Sequence, residues 1–140
     1  MVRLLVIAVM LIANCITFGH NCEDRISDII DGFEIDSTEC NFGDILPGKL
    51  TLKHTFNLYN HGKNDLDIKY VYKSCSCLTY KLSNHILKSG GSSQLEVLID
   101  LRGEGKGYFC HKLTVAIEGA KRPLILTIKG KIGENVNHKI

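Results

Sequence analysis

The stretch that decides the fold is residues 50–59, LTLKHTFNLY. Apolar and polar side chains alternate along it, so that Leu52, Phe56 and Leu58 share one face with His54. A period of two is that of a β-strand with one buried face. We therefore predict a half-buried strand, in which His54 is a hydrogen-bonded histidine of the core or of the sheet edge.

The same alternation recurs on both sides of this strand, between polar or glycine-rich turns. Six further strands are predicted, at residues 40–45, 66–73, 78–82, 95–101, 109–117 and 124–129. Alternation of strands and helices, which would indicate a parallel sheet, is absent from the sequence pattern. We therefore predict an all-β fold, an immunoglobulin-like β-sandwich of about seven antiparallel strands. Its tyrosines are expected to be packed in the core or half-exposed.

The amino terminus has the pattern of a secretory signal peptide. Arg3 precedes an apolar run over residues 4–13, and Thr17 and Gly19 supply small residues for cleavage before His20. A retained anchor is the alternative, although Asn14 interrupts the run well short of the roughly 20 residues of a spanning helix. A lipoprotein signal with a lipidated Cys15 is a second alternative.

These patterns divide the chain into four parts. We predict a signal peptide at residues 1–19, a leader segment at 20–38, the sandwich at 39–133 and a polar tail at 134–140. Helix-like spacing of apolar residues in the leader allows a short helix there. The predicted location is therefore outside the cytoplasm, in a periplasm, a cell envelope or the secreted fraction, with no spanning segment left after cleavage.

Several short blocks, in order, resemble the bacterial DUF1573 family, a domain of unknown function. The blocks are FGDI at 42–45, NHG at 60–62, SCSC at 74–77, LKSGGS at 87–92, GKG at 105–107 and LTIKG at 126–130. Ser76 stands where the family usually has glycine. The resemblance implies export and an immunoglobulin-like fold of the group that contains PapD and the major sperm protein. It implies no enzyme activity.

Cysteine is the residue type that offers a candidate site. After cleavage at Gly19 five cysteines remain, an odd number for an oxidising compartment. Cys75 and Cys77 end the third predicted strand, and Cys110 opens the sixth. These two strands are antiparallel neighbours in an immunoglobulin-like sandwich, so the three sulfurs are predicted to cluster. Cys22 and Cys40 form a weaker candidate pair.

Three interpretations of the cluster stay open. The favoured one is a structural disulfide from Cys75 or Cys77 to Cys110. The second is a thiolate site for copper(I) or zinc, completed by His111 or His85. The third is a redox-active Cys-x-Cys pair.

Composition and motifs exclude other classes of function. A net charge of +2 without a basic cluster argues against a nucleic-acid partner. The chain has no nucleophile elbow and no zinc-protease motif. We therefore predict a non-catalytic exported module without a cofactor, a catalytic residue or a resident metal. It would bind an unidentified protein, by strand addition to a sheet edge, or support an envelope assembly. An envelope metal-binding or thiol-handling protein is the alternative.

Overall fold

A computed structural model describes residues 29–134 of the chain, and the predicted signal peptide, Cys15 and Cys22 lie outside that part. Nine strands form within it. They are β1 Phe33–Ile35, β2 Glu39–Ile45, β3 Thr51–Asn60, β4 Leu66–Lys73, β5 Leu78–Leu82, β6 Ile86–Leu87, β7 Ser92–Asp100, β8 Gly107–Ile117 and β9 Leu124–Ile132. Across these residues we find no helix of the length and hydrophobicity needed to cross a membrane.

The strands form two sheets that pack face to face as an immunoglobulin-like β-sandwich. One sheet has the order β1-β3-β7-β5 and the other β2-β9-β8-β4-β6. The prediction of an all-β sandwich is confirmed, and the seven predicted strands are joined by two short ones, β1 and β6. One pair of neighbouring strands is parallel, which the prediction did not include: β2, the first long strand, pairs in parallel with β9, the last strand.

Alternating side chains from both sheets fill the space between them. In β3 Phe56 and Leu58 are fully buried, while Lys53 lies outside. Burial of one such side chain is worth roughly 1.5–3 kcal/mol. The other fully or nearly fully buried large side chains are Ile29, Ile68, Leu78, Leu87, Leu95, Ile99, Leu113, Leu124, Leu126 and Ile128.

The end of the predicted leader is part of the sandwich. Ile29, Phe33 and Ile35 are buried in the core, and β1 pairs with the carboxyl half of β3. The prediction of a helix or a loose leader was therefore wrong for residues 29–38. A three-residue strand is too short for its period of two to stand out from helix-like spacing.

One end of the sandwich closes on a buried asparagine, and we call it the Asn60 end. The side-chain nitrogen Nδ2 of Asn60 donates to the backbone carbonyls of Leu87 and Asn64, at 2.9 and 2.8 Å. Its side-chain oxygen Oδ1 accepts a hydrogen bond from the backbone amide of Gly62 at 2.9 Å. Gly32 meets this turn with φ of 77°, and a Cβ there would lie 2.4 Å from the Gly62 nitrogen. Glycine is therefore required at this close approach.

A β-bulge in β4 changes which of its side chains face outward. The register with β8 shifts between Ile68 and Tyr70. Ile68 is buried, yet Tyr70 and Tyr72 are 61% and 59% exposed. These two tyrosines are therefore more than half exposed and lie outside the core, because a bulge inserts a residue and reverses the alternation beyond it.

Candidate functional site

The loop between β4 and β5 holds Cys75 and Cys77 at the end of the sandwich opposite to Asn60. The Ser74 amide donates to the Lys112 carbonyl at 2.9 Å, and the Asp100 amide donates to the Cys77 carbonyl at 2.8 Å. These bonds tie the loop to both sheets. As predicted, the end of β4 lies beside β8.

The two cysteines of this loop are joined to each other. Their sulfurs are 2.05 Å apart, with Cα atoms 5.1 Å apart. The predicted bond from one of them to Cys110 is not formed, and Cys110 is a free, exposed thiol. Phe109 and His111 point inward, so the period of two places the Cys110 side chain on the outer face of β8.

The disulfide belongs to a group of four potential ligands that we call the sulfur–histidine cluster: Cys75, Cys77, Glu104 and His111. One ligand atom of each lies within 4.8 Å of the others, and all four residues are half-buried. His111 Nε2 lies 2.6 Å from a Glu104 carboxylate oxygen, with the two side chains 16% and 19% exposed. The His111 ring stacks on Phe109, with centroids 5.6 Å apart.

The cluster differs from the predicted one in two members. Cys110 is absent from it, and Glu104 joins it from the loop between β7 and β8, while His111 is one of the two histidines that the metal interpretation named. Sequence reasoning missed Glu104 because its glycine-rich surroundings indicate only a turn. His85, the other predicted ligand, lies at the far end of β4, where its Nδ1 is 3.3 Å from the Ile68 carbonyl.

A disulfide between residues i and i+2 is a weak staple. In the chain-entropy description a 15-residue loop gives about 3 kcal/mol, and shorter loops give less. The bond between Cys75 and Cys77 closes a much shorter loop, with a separation of two residues. The role of this disulfide is therefore better inferred from the reactions that it can undergo than from its effect on stability. It can open to two thiols beside an imidazole and a carboxylate, a donor set for thiol exchange or for a soft or borderline metal ion.

Cys40 is a second free cysteine within residues 29–134, and it is buried in β2. Burial raises the pKa of its thiol, and the nearby Glu39 carboxylate raises that pKa further. A thiol in such surroundings is unreactive at neutral pH. The predicted pairing with Cys22 remains a prediction, since Cys22 falls outside the described residues.

His54 lies on the inner face of β3, as predicted, but without the predicted hydrogen bond. Its Nε2 is buried and has no hydrogen-bond partner within the described residues. The rings of Phe56 and Phe42 stand edge-on to the imidazole, with centroid distances of 4.5 and 6.4 Å. The site is thus an aromatic packing site rather than a polar one.

An exposed apolar surface covers part of the outer face of the second sheet, and we call it the tyrosine face. Its members are Tyr70, Tyr72, Thr114, Ala116 and Ile125. The two tyrosine rings lie 5.8 Å apart. Tyr72 pairs across the sheet with Thr114, which pairs in turn with Ile125, itself 48% exposed.

The tyrosine face borders an open sheet edge. The short strand β6 pairs with β4 only at Leu66 and Asp67, and the Ile68 amide donates to the His85 carbonyl. Beyond that point, residues 69–73 of β4 have no neighbouring strand on this side in the part of the chain described. Such an edge presents unpaired backbone groups to solvent.

Comparison with known proteins supports the fold. Residues 33–132 match the family model described as "Protein of unknown function (DUF1573)". No curated protein matches the chain. A solved protein of unknown function from Porphyromonas gingivalis W83 is 21% identical, with a TM-score of 0.60 over 71% of this chain and 46% of that one.

Two further solved structures place the fold in a wider group. The PapD-like domain 7 of human CEP192 is 17% identical, with a TM-score of 0.54 over 74% of this chain and 86% of that domain. The VesB protease of Vibrio cholerae is 16% identical, with a TM-score of 0.57 over 76% of this chain and 33% of the protease. The chain thus spans less than half of the P. gingivalis protein and a third of the protease. At these identities the likeness concerns the fold alone.

Proposed function

The chain belongs to the DUF1573 family of proteins of unknown function, and on that premise we propose that it is a non-catalytic, exported module that binds an extended segment of a partner protein. The immunoglobulin-like, PapD-like fold is compatible with a non-catalytic module. The observation that carries the proposal is the open edge of β4 next to the tyrosine face. The partner segment adds as a strand at that edge and packs its side chains on the tyrosines.

Backbone geometry supports an added strand at this edge. The Ser74 amide is directed to β8, where it donates to Lys112. Backbone groups alternate in direction along an antiparallel strand, so we infer that those of Val71 and Lys73 face away from β8. These groups would supply the hydrogen bonds of an incoming segment.

Side-chain chemistry supports the same site. Tyrosines are favoured in protein interfaces because they offer a large apolar area together with a polar tip. Tyr70 and Tyr72 project from alternate positions of one strand, and Ile125 extends the apolar surface across two more strands. A segment at the edge could therefore contact this surface with every second side chain.

Export is supported by the signal-peptide pattern of residues 1–19. A disulfide in the described domain is consistent with an oxidising compartment. The partner would then be a protein of the envelope or of the secreted fraction.

The proposal is tested with a display library of linear random peptides selected on the purified protein. Enriched peptides are titrated against the wild type and against the double variant Tyr70→Ser/Tyr72→Ser. We expect at least a tenfold loss of affinity, about 1.4 kcal/mol, in the double variant. Hydrogen exchange should show that the bound peptide protects the amides of Val71 and Lys73.

Tyr108→Ser is the matched control, because Tyr108 is 84% exposed on β8 and lies away from the open edge. It should bind the selected peptides as the wild type does. Peptides that bind the double variant with unchanged affinity would overturn the proposal. So would peptides that leave the β4 amides unprotected, or a library that yields no binding peptide.

A further inference from the structure

The sulfur–histidine cluster holds donors that the protein-binding proposal does not use. We propose that reduction of the Cys75–Cys77 disulfide converts this cluster into a binding site for one zinc ion. The cluster shares no residue with the tyrosine face, which lies on the outer side of the second sheet. It gives the domain two states, an oxidised one without the metal site and a reduced one with it.

The donor set fits zinc. Two thiolates, one imidazole and one carboxylate are four protein ligands, the number found in closed tetrahedral zinc sites. The carboxylate is a hard ligand and favours zinc over copper(I), which prefers sulfur alone. The four ligand atoms already lie within 4.8 Å of one another.

The distances require only local changes. With Zn–S bonds of about 2.3 Å, two sulfurs of a tetrahedral site stand about 3.8 Å apart. The sulfurs of Cys75 and Cys77 must therefore separate, which reduction of their bond permits. His111 Nε2 and the Glu104 oxygen must open from 2.6 Å to about 3.3 Å to admit the ion between them.

The surroundings hold the ligands in place without the disulfide. The Leu78 amide donates to the Cys75 carbonyl at 3.2 Å, and the Asp100 amide donates to the Cys77 carbonyl at 2.8 Å. The Cys77 amide lies 3.1 Å from the Cys75 sulfur, where it can stabilise a thiolate. Outer hydrogen bonds of this kind orient metal ligands.

The redox step is a thiol–disulfide exchange with a dithiol reductant. The reductant's two thiols become a disulfide, and two electrons and two protons pass to the sulfurs of Cys75 and Cys77. Zinc then displaces the two protons to solvent as it binds the thiolates. In the reverse exchange a disulfide oxidant takes up two electrons and two protons and becomes a dithiol, the Cys75–Cys77 bond re-forms, and the loss of two of the four donors releases the ion.

The molecule contains its own control for an ordinary histidine–glutamate pair. His61 and Glu34 also meet at 2.6 Å, at the Asn60 end, with side chains 61% and 62% exposed. Among the described residues this pair does not belong to any group of three or more potential metal ligands. A variant of His61 therefore measures what the loss of one such pair does without the sulfurs.

The test is a titration of the purified protein with Co²⁺, followed by displacement with Zn²⁺. The protein is reduced with a dithiol under anaerobic conditions and freed of reductant. We expect one equivalent of Co²⁺ with the sulfur charge-transfer absorption of a tetrahedral thiolate site. The oxidised protein should bind at least a hundredfold more weakly. Within residues 29–134 Cys40 and Cys110 are free thiols, and the same comparison on Cys22→Ser excludes a contribution from the predicted Cys22–Cys40 bond.

Variants assign the ligands. Cys75→Ser/Cys77→Ser should abolish the sulfur absorption, and His111→Ala should weaken Zn²⁺ binding at least tenfold. His61→Ala and Cys110→Ser should bind as the wild type does. A reduced wild type that takes up no Co²⁺ overturns the proposal, as does binding that is equal in both redox states or that persists in the double serine variant. The redox comparison is made on the wild type, so it stands even where a variant fails to fold.

Discussion

The two ends of the sandwich close in different ways. At the Asn60 end, one buried amide side chain bonds three backbone groups and draws the loops together. At the opposite end, the loops carry the sulfur–histidine cluster, whose two sulfurs form a disulfide. The hydrogen bonds of an amide do not depend on redox conditions, whereas a disulfide bond opens on reduction. The first end is therefore fixed, and the second is the end that can respond to the environment.

Each end has a histidine–glutamate pair of the same length, and this sharpens the contrast. The distance is 2.6 Å in both, but His61–Glu34 is mostly exposed and His111–Glu104 is largely covered. An exposed pair is screened by water and contributes little. What separates the two pairs is their surroundings, not their contact distance.

The largest effect is expected from removal of the amide at the fixed end. Asn60→Ala leaves the Leu87 carbonyl and the Gly62 amide without their buried partner. We expect the free energy of unfolding to fall by about 2–3 kcal/mol, the cost of unpaired buried polar groups. Urea denaturation measures it. Asn64→Ala is the control, since only the backbone carbonyl of Asn64 takes part, and it should change stability by less than about 0.5 kcal/mol.

Reduction of the disulfide at the other end is expected to have a smaller effect. The bond closes a very short loop, so opening it should lower the free energy of unfolding by less than about 2 kcal/mol. Urea denaturation with and without a dithiol reductant measures the change. The variant Cys75→Ser/Cys77→Ser should not respond to the reductant. A loss of 3 kcal/mol or more would make this end a structural staple and remove the contrast.

Loss of the two histidine–glutamate pairs should have the next largest effects on the free energy of unfolding. His111→Ala removes a covered contact with the Glu104 carboxylate and a ring stacked on Phe109. We expect a loss of about 1 kcal/mol in the free energy of unfolding. His61→Ala should cost a few tenths of a kcal/mol at most. Thermal unfolding of both variants at one pH gives the comparison, and equal losses would show that burial does not distinguish the pairs.

The smallest effect concerns Asp100, at the cluster end. Hydrogen bonds from the Arg102 side chain and amide hold the pKa of Asp100 near 2. A lowered pKa in the folded state contributes stability above the unfolded value of 3.8, and this is lost as the pH falls towards 2. Asp100→Asn should therefore lower the urea midpoint slightly at pH 6. The difference from the wild type should vanish between about pH 4 and pH 2, and a difference that grows in acid would contradict the assignment.

Sequence patterns predicted most of the fold because alternation reports burial directly. Leu52, Phe56 and Leu58 alternate with polar residues, and they form one face of β3 as predicted. The bulge in β4 could not be predicted, since Tyr70 and Tyr72 continue an unbroken alternation from Leu66 and the extra residue leaves no local signal. Strand β1 was not predicted, because three residues are too few to show a clear period.

The position of the candidate site was predicted, and so were three of its four residues, Cys75, Cys77 and His111. The neighbouring strands β4 and β8 brought Cys75 and Cys77 beside the start of β8, as expected. The error was to choose Cys110, although the alternation of Phe109 and His111 with it already indicated the opposite face. The contribution of Glu104 depends on the path of a glycine-rich loop, and sequence spacing does not determine that path.

The parallel pairing of β2 with β9 has a consequence for how the domain is built. Cys40 lies opposite Ile128, so residues far apart in the chain must meet before this sheet is complete. In the described sheet order β9 is the sole neighbour of β2. Contacts between distant segments slow folding, because closing the long loop between them costs conformational entropy before the contacts form. Assembly of this edge therefore waits for the last strand, and a chain that stops before Leu124 would leave β2 without a strand to pair with.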